Sequence, residues 1–424
     1  MRKYIIAYSC TERRRWIIWI FVSGILLIPS LESTGYFDRN GNLTSFPHDI
    51  PSNVTLISIA YSNIPVVDYI EYFPRLNELQ LINTGLTVIP DLSNISNVLE
   101  HLTLPDNNIE VIDTFTPMTS FRTLRLGGNP LKRFPNLINI SHCLWELHLD
   151  RIDSQTLGEI TVLGELSSIY LDGNLLTNFQ NLINLSKSLL TLSVIGNLFT
   201  KVHTLEIFSK LKHLKVGGSS FTEFPDLTEV NSTLEILLIT SSKVFVTDIP
   251  KMARLQKLIL PHNRISRFPN LSNVSSTLLE LDLSYNELNY ICDVTEMKLL
   301  EKIVLTGNHL AMFPDFINAS RRLYRLELAK NNITVINIER LISLTSLGYL
   351  DLSWNPLLSL PNLCYLNITI EVLLSGINLN CDWKMSFIKL MEETGKVRFR
   401  ESFQCDWSDI SLFRLMNEPG LCQI

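Results

Sequence analysis

The sequence predicts an α/β solenoid, a stack of short coils sharing one parallel sheet, and three observations predict it. First, residues 278–288 read LLELDLSYNEL, with leucine at places 1, 4, 6 and 11 and asparagine at place 9. The pattern returns with its first apolar residue at Val54, Leu76, Leu99, Phe121, Leu144, Leu166, Leu189, Leu211, Leu234, Leu255, Leu278, Leu300, Leu323, Leu347 and Ile370, fifteen copies at steps of 21 to 24 residues. Second, ten copies keep asparagine at place 9: Asn107, Asn129, Asn174, Asn197, Asn263, Asn286, Asn308, Asn331, Asn355 and Asn378. Ser62, Thr84, Ser219 and Ser242 stand in for it elsewhere, and Ile152 breaks the series. Third, alternate copies follow a Pro-led segment such as PDLSNIS, PNLSNVSS or PDFINAS, which implies a duplicated unit of about 45 residues.

Each element follows from this spacing. Apolar residues at places 1, 4 and 6 point into the coil, while places 3, 5 and 7 alternate outward along a short strand. One coil cannot cover its apolar face alone, so the coils must stack, giving a concave sheet of about fifteen parallel strands in a horseshoe. The place-9 amide can donate to and accept from the backbone of adjacent coils. Proline fixes the backbone angle and removes a donor, so the convex side should be irregular, with short turns rather than long helices.

The ends differ from the array. Residues 1–15 are basic and lead into the apolar run WIIWIFVSGILLI, closed by Pro29, with Ser33 and Gly35 spaced for cleavage before Tyr36. This is the layout of a secretory signal peptide, residues 1–35. The alternative is an uncleaved signal anchor over residues 16–31, the only way this reading gives the chain a membrane contact. Residues 36–53 contain no cysteine, so Leu43, Phe46 and Ile50 are expected to close the first coil by packing. The repeats occupy 54–380, and 381–424 form a C-terminal cap. There Asp382 can cap a helix that presents Trp383, Phe387, Leu390 and Met391 on one face and ends at Gly395.

In a secreted chain N-x-S/T sequons are glycosylation candidates. They are Asn42, Asn53, Asn94, Asn139, Asn184, Asn231, Asn270, Asn273, Asn318, Asn332 and Asn367. Seven of these recur one to each segment before an alternate copy, and Asn270 adds a second in PNLSNVSS. They are expected to line one flank or the back and leave the concave sheet bare.

The pattern L-x-x-L-x-L-x-x-N-x-L, joined to INLNCDW and the cysteines of the cap, resembles extracellular leucine-rich-repeat proteins over about residues 36–424. Toll-like receptor ectodomains and secreted leucine-rich-repeat recognition proteins belong to this group. The resemblance implies a cysteine-flanked C-terminal cap in which Cys381 pairs with Cys405. Trp383 stands where the family's second cysteine belongs, leaving Cys422 free for an intermolecular bridge and a possible dimer. The cysteine-bonded N-terminal cap common in the family is missing. Cys364 is another conceivable partner for Cys422, whereas Cys143 and Cys292 read as buried thiols.

No catalytic, phosphate-binding or metal-binding motif is present, and His101, His148 and His213 share the sheet without a ligand cluster; no cofactor is expected and the sequence argues against an enzyme. A formal charge of −6 with 18% charged residues offers no basic stripe for nucleic acid. Recognition remains. The outward ladder at place 5 runs Ser58, Gln80, Thr103, Arg125, His148, Tyr170, Ser193, Lys215, Leu238, Ile259, Asp282, Val304, Glu327 and Asp351. Ligand-binding candidates are His148, Tyr170 and Lys215, the apolar group Ile236, Leu238 and Ile259, and Asp282, Glu327 and Asp351, which with Glu280 form an acidic strip. The expected partner is an extracellular protein or polysaccharide-type polymer, in innate-immune-like recognition or cell adhesion. The alternatives are a structural matrix component and a receptor ectodomain held by its signal anchor.

Overall fold

The computed structural model describes residues 5–8, 33–155, 163–178, 187–200, 208–218, 222–291, 296–316, 321–361, 363–377 and 395–399, with single positions between them. The chain divides into two units, 1–194 and 195–424. In the first, β1 (Ile5–Tyr8) lies antiparallel to β2 (Ser33–Asp38). Parallel neighbours follow in chain order: β3 (Leu56–Ala60), β4 (Glu78–Ile82), β5 (His101–Thr103), β6 (Thr123–Arg125), β7 (Glu146–His148), β8 (Ser168–Tyr170) and β9 (Thr191–Ile195). In the second, β10 (His213–Gly217), β11 (Ile236–Thr240), β12 (Lys257–Ile259), β13 (Glu280–Asp282), β14 (Lys302–Val304), β15 (Arg325–Glu327), β16 (Tyr349–Asp351), β17 (Ile370–Leu373) and β18 (Val397–Phe399) are likewise parallel. Strands β3 to β17 belong to the fifteen sequence copies. β2 and β18 each add one more parallel strand, contributed by the end segments.

The apolar triplet fills each coil: Leu278, Leu281 and Leu283 have no exposed surface. Leu281 stands opposite Leu258 on one side and Ile303 on the other. Place 4 meets place 4, so the strand registers follow the sequence phase.

The asparagines sew neighbouring coils together. Asn286 donates to its own coil at Leu283 O (3.0 Å) and to the previous coil at Leu260 O (2.8 Å), and its Oδ1 accepts from Ile265 N (3.1 Å). Asn308, Asn331 and Asn355 repeat this arrangement, as do Asn107, Asn129 and Asn174 in the first unit. Each place-6 carbonyl inside a run thereby accepts from two amides: Leu283 O takes one from Asn286 and one from Asn308. Ser62 and Ser242 reach only the place-7 carbonyl of their own coil, Ala60 O and Thr240 O. Where Ile152 stands, the Leu131 N–H turns back to Asn129 O (2.9 Å).

The final copy departs from the sequence reading. β17 sets Val372 opposite Leu350 and Leu373 opposite Asp351, so the turn position beside Asn355 belongs to Ile377, which is buried, and Asn378 lies outside the described residues. The cause is strand alternation: Ile370, Val372 and Leu374 are all buried and two apart. Starting the inward set at Ile370 would instead have required Leu373 and Ser375 inside.

The outer side is irregular as expected, with 3-10 turns at Ser93–Ile95, Ile138–Ile140, Thr228–Val230 and Ser272–Val274 and one short α1 (Ile338–Ile342). The Pro-led segments explain the turns. The Asp or Asn after each proline accepts from the amide two residues on, as Asp91 does from Ser93 N (3.0 Å) and Asn270 from Ser272 N (3.1 Å). The turns then drop Ile95, Ile140, Val230 and Val274 into the core. α1 is capped by Asn337, whose side chain accepts from Glu339 N at 2.8 Å.

At the N-terminal side Phe46 and Ile50 are buried and Leu43 is half-buried. Phe46 meets Phe73 edge-on, with ring centroids 6.2 Å apart. β2 starts at Ser33, so cleavage before Tyr36 would fall inside it. The apolar run 16–28, the cap helix, and the side chains of Cys10, Cys292, Cys364, Cys381, Cys405 and Cys422 lie outside the described residues. Cys143 is free and half-buried; burial pushes its thiol pKa up, and the thiol donates to Met118 O (3.2 Å).

Asn286→Ala strips a partner from three buried carbonyls, Leu260 O, Leu283 O and Ser284 O, and from one amide. It should cost roughly 2–4 kcal/mol, read by denaturant unfolding of the full chain. The exposed Asn289→Ala, outside the ladder, is the control and should change little.

Candidate binding face

The outward places form continuous columns, because parallel registers set equal places side by side. In the first unit His148 on β7 and Tyr170 on β8 are paired in register, and their rings stack at 4.0 Å and 12°. Glu146 Oε1 bridges Arg125 Nη2 (2.8 Å) and His148 Nε2 (2.6 Å), with Asp150 Oδ2 3.6 Å from His148 Nδ1. Burial pushes the Glu146 carboxyl up, but the hydrogen bonds from Arg125 and His148 outweigh it and hold the group below the usual carboxylate range. Burial, followed by the Glu146 charge, raises the Tyr170 hydroxyl. The two sequence candidates therefore sit in a tied polar network.

In the second unit Lys215, Leu238, Ile259, Asp282, Val304, Glu327 and Asp351 make one unbroken column. All of them are half-buried except Val304, which is buried. Leu238 and Ile259 are direct neighbours, with Ile236 two places earlier on the strand of Leu238. The apolar group is thus brought together as the spacing predicted.

The acidic strip is more balanced than expected. Glu280 Oε1 and Oε2 hold Lys302 Nζ (2.6 Å) and Lys257 Nζ (2.9 Å) from the two flanking strands. Burial raises the Glu280 carboxyl, and the bonds and charges of Lys302 and Lys257 bring it below its ordinary value. Glu327 is paired with Arg325 at 2.6 Å. Arg325 also lies 3.8 Å above the Tyr349 ring. Asp282 and Asp351 instead accept from the turn amides of Ser284 (2.8 Å) and Ser353 (2.9 Å). The compensating place-3 column Lys257, Glu280, Lys302, Arg325 was legible in the sequence, but only once adjacent coils are read across as well as along.

Sequence reasoning also missed the rim at place 8, where the backbone is left-handed. Glycine supplies this turn at Gly173 and Gly307, yet His262, Tyr285, Lys330 and Trp354 occupy it with φ of 53° to 58°. Tyr285 stacks on His262 at 4.4 Å. A Cβ on Gly307 would come within 2.7 Å of the Tyr285 ring, so the glycine makes room for it. An aromatic where other coils carry glycine was the available signal. Among the described residues no group of three or more His, Cys, Asp or Glu is placed to hold a metal ion.

A scan against protein-family models finds no match, and no curated protein matches by sequence. Solved structures do match. A leucine-rich-repeat protein of Leptospira interrogans superposes with a TM-score of 0.58 at 22% identity, covering 85% of this chain and 93% of that one. The functional domain of InlJ from Listeria monocytogenes, which includes a cysteine ladder, gives 0.54 at 17% identity over 76% and 69%. Mouse RP105 in its complex with MD-1 gives 0.51 at 17% over 86% and 89%. The fold is the leucine-rich-repeat solenoid.

The lowered Glu280 value fixes the sign of a pH effect. Its stabilisation is present above the unfolded carboxylate range and is lost as pH falls through the folded value. Glu280→Gln should lower stability near neutral pH by about 1 kcal/mol, after discounting the exposed lysines for screening. It should also shallow the fall in stability below ~pH 4, read by denaturant unfolding across pH.

Proposed function

We propose that the chain is an extracellular recognition protein that binds a protein ligand on the open face of its parallel sheet. The observation that carries this reading is the apolar group Ile236, Leu238 and Ile259, three half-buried side chains side by side on the outward face of neighbouring strands. Such a group offers a partner a desolvated anchor, and the surrounding Lys257, Glu280 and Lys302 provide a polar rim. The likeness in fold to mouse RP105, solved with MD-1, favours a protein as partner. The remaining face candidates, His148, Tyr170, Lys215, Asp282, Glu327 and Asp351, are proposed as surrounding contacts.

The extracellular setting is proposed from the signal-like segment 1–35 and from the sequons. Among the described residues no helix is long and apolar enough to cross a membrane. Asn42, Asn53, Asn94, Asn270, Asn273, Asn332 and Asn367 are exposed, Asn139 and Asn231 half-buried; Asn184 and Asn318 lie outside the described residues. Asn139 and Asn273 donate their amides to Phe115 O (2.7 Å) and Ile249 O (3.0 Å). None of the nine described sequons is on a sheet strand, which fits sugars placed away from the proposed face.

Two measurements test the proposal. Chain recovered from the medium of secreting animal cells should begin near Tyr36 and lose mass on removal of N-glycans; an uncleaved, unglycosylated product retained in the cell would remove the extracellular reading. Leu238→Glu should then weaken binding of the labelled chain to cell surfaces at least tenfold, about 1.4 kcal/mol, without lowering its melting temperature. Unchanged binding would sink the assignment of the face.

A further inference from the structure

The indole of Trp354 is not accounted for by the packing of the chain. It is 60% exposed and holds a left-handed backbone, φ 58°, at the place-8 rim, where glycine would sit without steric cost. A Cβ on Gly376 of the next coil would collide with its six-membered ring, so one side of the indole rests on that glycine and the other is left to solvent. On the coil before lies Asn332, the asparagine of an N-x-T sequon. The two turns are bonded together there. Lys330 N donates to Ser353 O (2.7 Å) and Ile333 N to Asn355 Oδ1 (3.0 Å), so the residues bracketing Asn332 hold the residues on either side of Trp354. Asn332 is exposed and its side-chain amide makes no hydrogen bond, whereas the sequon amides of Asn139 and Asn273 are engaged by Phe115 O and Ile249 O.

We propose that Trp354 is the seat of the N-glycan of Asn332, its open side stacking on the first sugar. This rests on the glycosylation reading and goes beyond it by naming where one sugar lies. The chemistry of the two groups matches. A pyranose ring presents a face of C–H groups that is apolar and slightly positive, and an indole presents a flat, electron-rich face. A sugar tethered one coil away is also at high effective concentration, so a single ring contact is enough to hold it. A free protein partner needs a wider patch, and along the rim Trp354 stands between Lys330 and Gly376, neither of them an apolar side chain. Seated in this way the sugar stays at the rim. Unseated, a glycan at this turn is free to swing across the open sheet.

The test uses the full chain secreted from animal cells, with the occupancy of each sequon measured first by peptide mass. Peptide-N-glycosidase should release the Asn332 glycan from the folded chain about fivefold more slowly than from Trp354→Asn, the factor of one aromatic stacking contact. Release at the exposed Asn94 should not differ. Asparagine already holds place 8 at Asn83 with φ 50°, so the substitution fits the turn and the melting temperature should not fall. Trp354→Phe, which keeps a ring, should retain most of the protection. Equal release at Asn332 from the parent chain and from Trp354→Asn overturns the inference. So does a bare Asn332 on a chain whose other sequons carry sugar, an outcome that leaves the glycosylation reading standing. A chain bare at every sequon removes that reading itself, and the seat with it.

Discussion

Everything in this chain depends on satisfying the backbone where it leaves each strand. The turn buries carbonyls and amides that no helix or hairpin is present to pair, and a buried unpaired group costs about 1–3 kcal/mol. One asparagine per coil solves this for two coils at once. Its amide nitrogen reaches the place-6 carbonyl of its own coil and of the coil before, and its oxygen takes an amide of the latter. From Asn286 to Asn355 the pattern is uninterrupted. Stacking is therefore cooperative in hydrogen bonds as well as in apolar contact, and a coil cannot be removed without orphaning its neighbour.

That constraint explains which parts of the fold could be read from sequence. Apolar residues at places 1, 4 and 6 and a polar residue at place 9 are each imposed by the same local geometry, so strand, register and turn all surface as one repeating pattern. The final coil was misphased because it obeys only half the rule: its inward set Ile370, Val372, Leu374 is an ordinary alternating strand, and no place-9 polar residue pins the count. The extra strands β2 and β18 escaped notice for the same reason. Strands in the end segments need only pair with their neighbours, which leaves no periodic mark.

The candidate face was half legible. Place 5 could be projected across coils because registers are equal, and Leu238 and Ile259 duly meet. What a single column could not reveal was its neighbour: Glu280 reads as a free acid along the chain and becomes the centre of a three-member ion pair across it. Surface chemistry in a solenoid is written at right angles to the sequence.

The buried isoleucine at the turn of the last coil has one further effect. Leu352 O takes its own coil's amide from Asn355, but Ile377 has none to offer it from the other side, and the phase has slipped by one residue. In the language of crystal growth this is a stacking fault rather than a terminating face: β18 still pairs in parallel with β17 beyond it, just as β7, whose coil carries Ile152, pairs with strands on both sides. The array tolerates a missing stitch because the sheet and the apolar core run on through the fault.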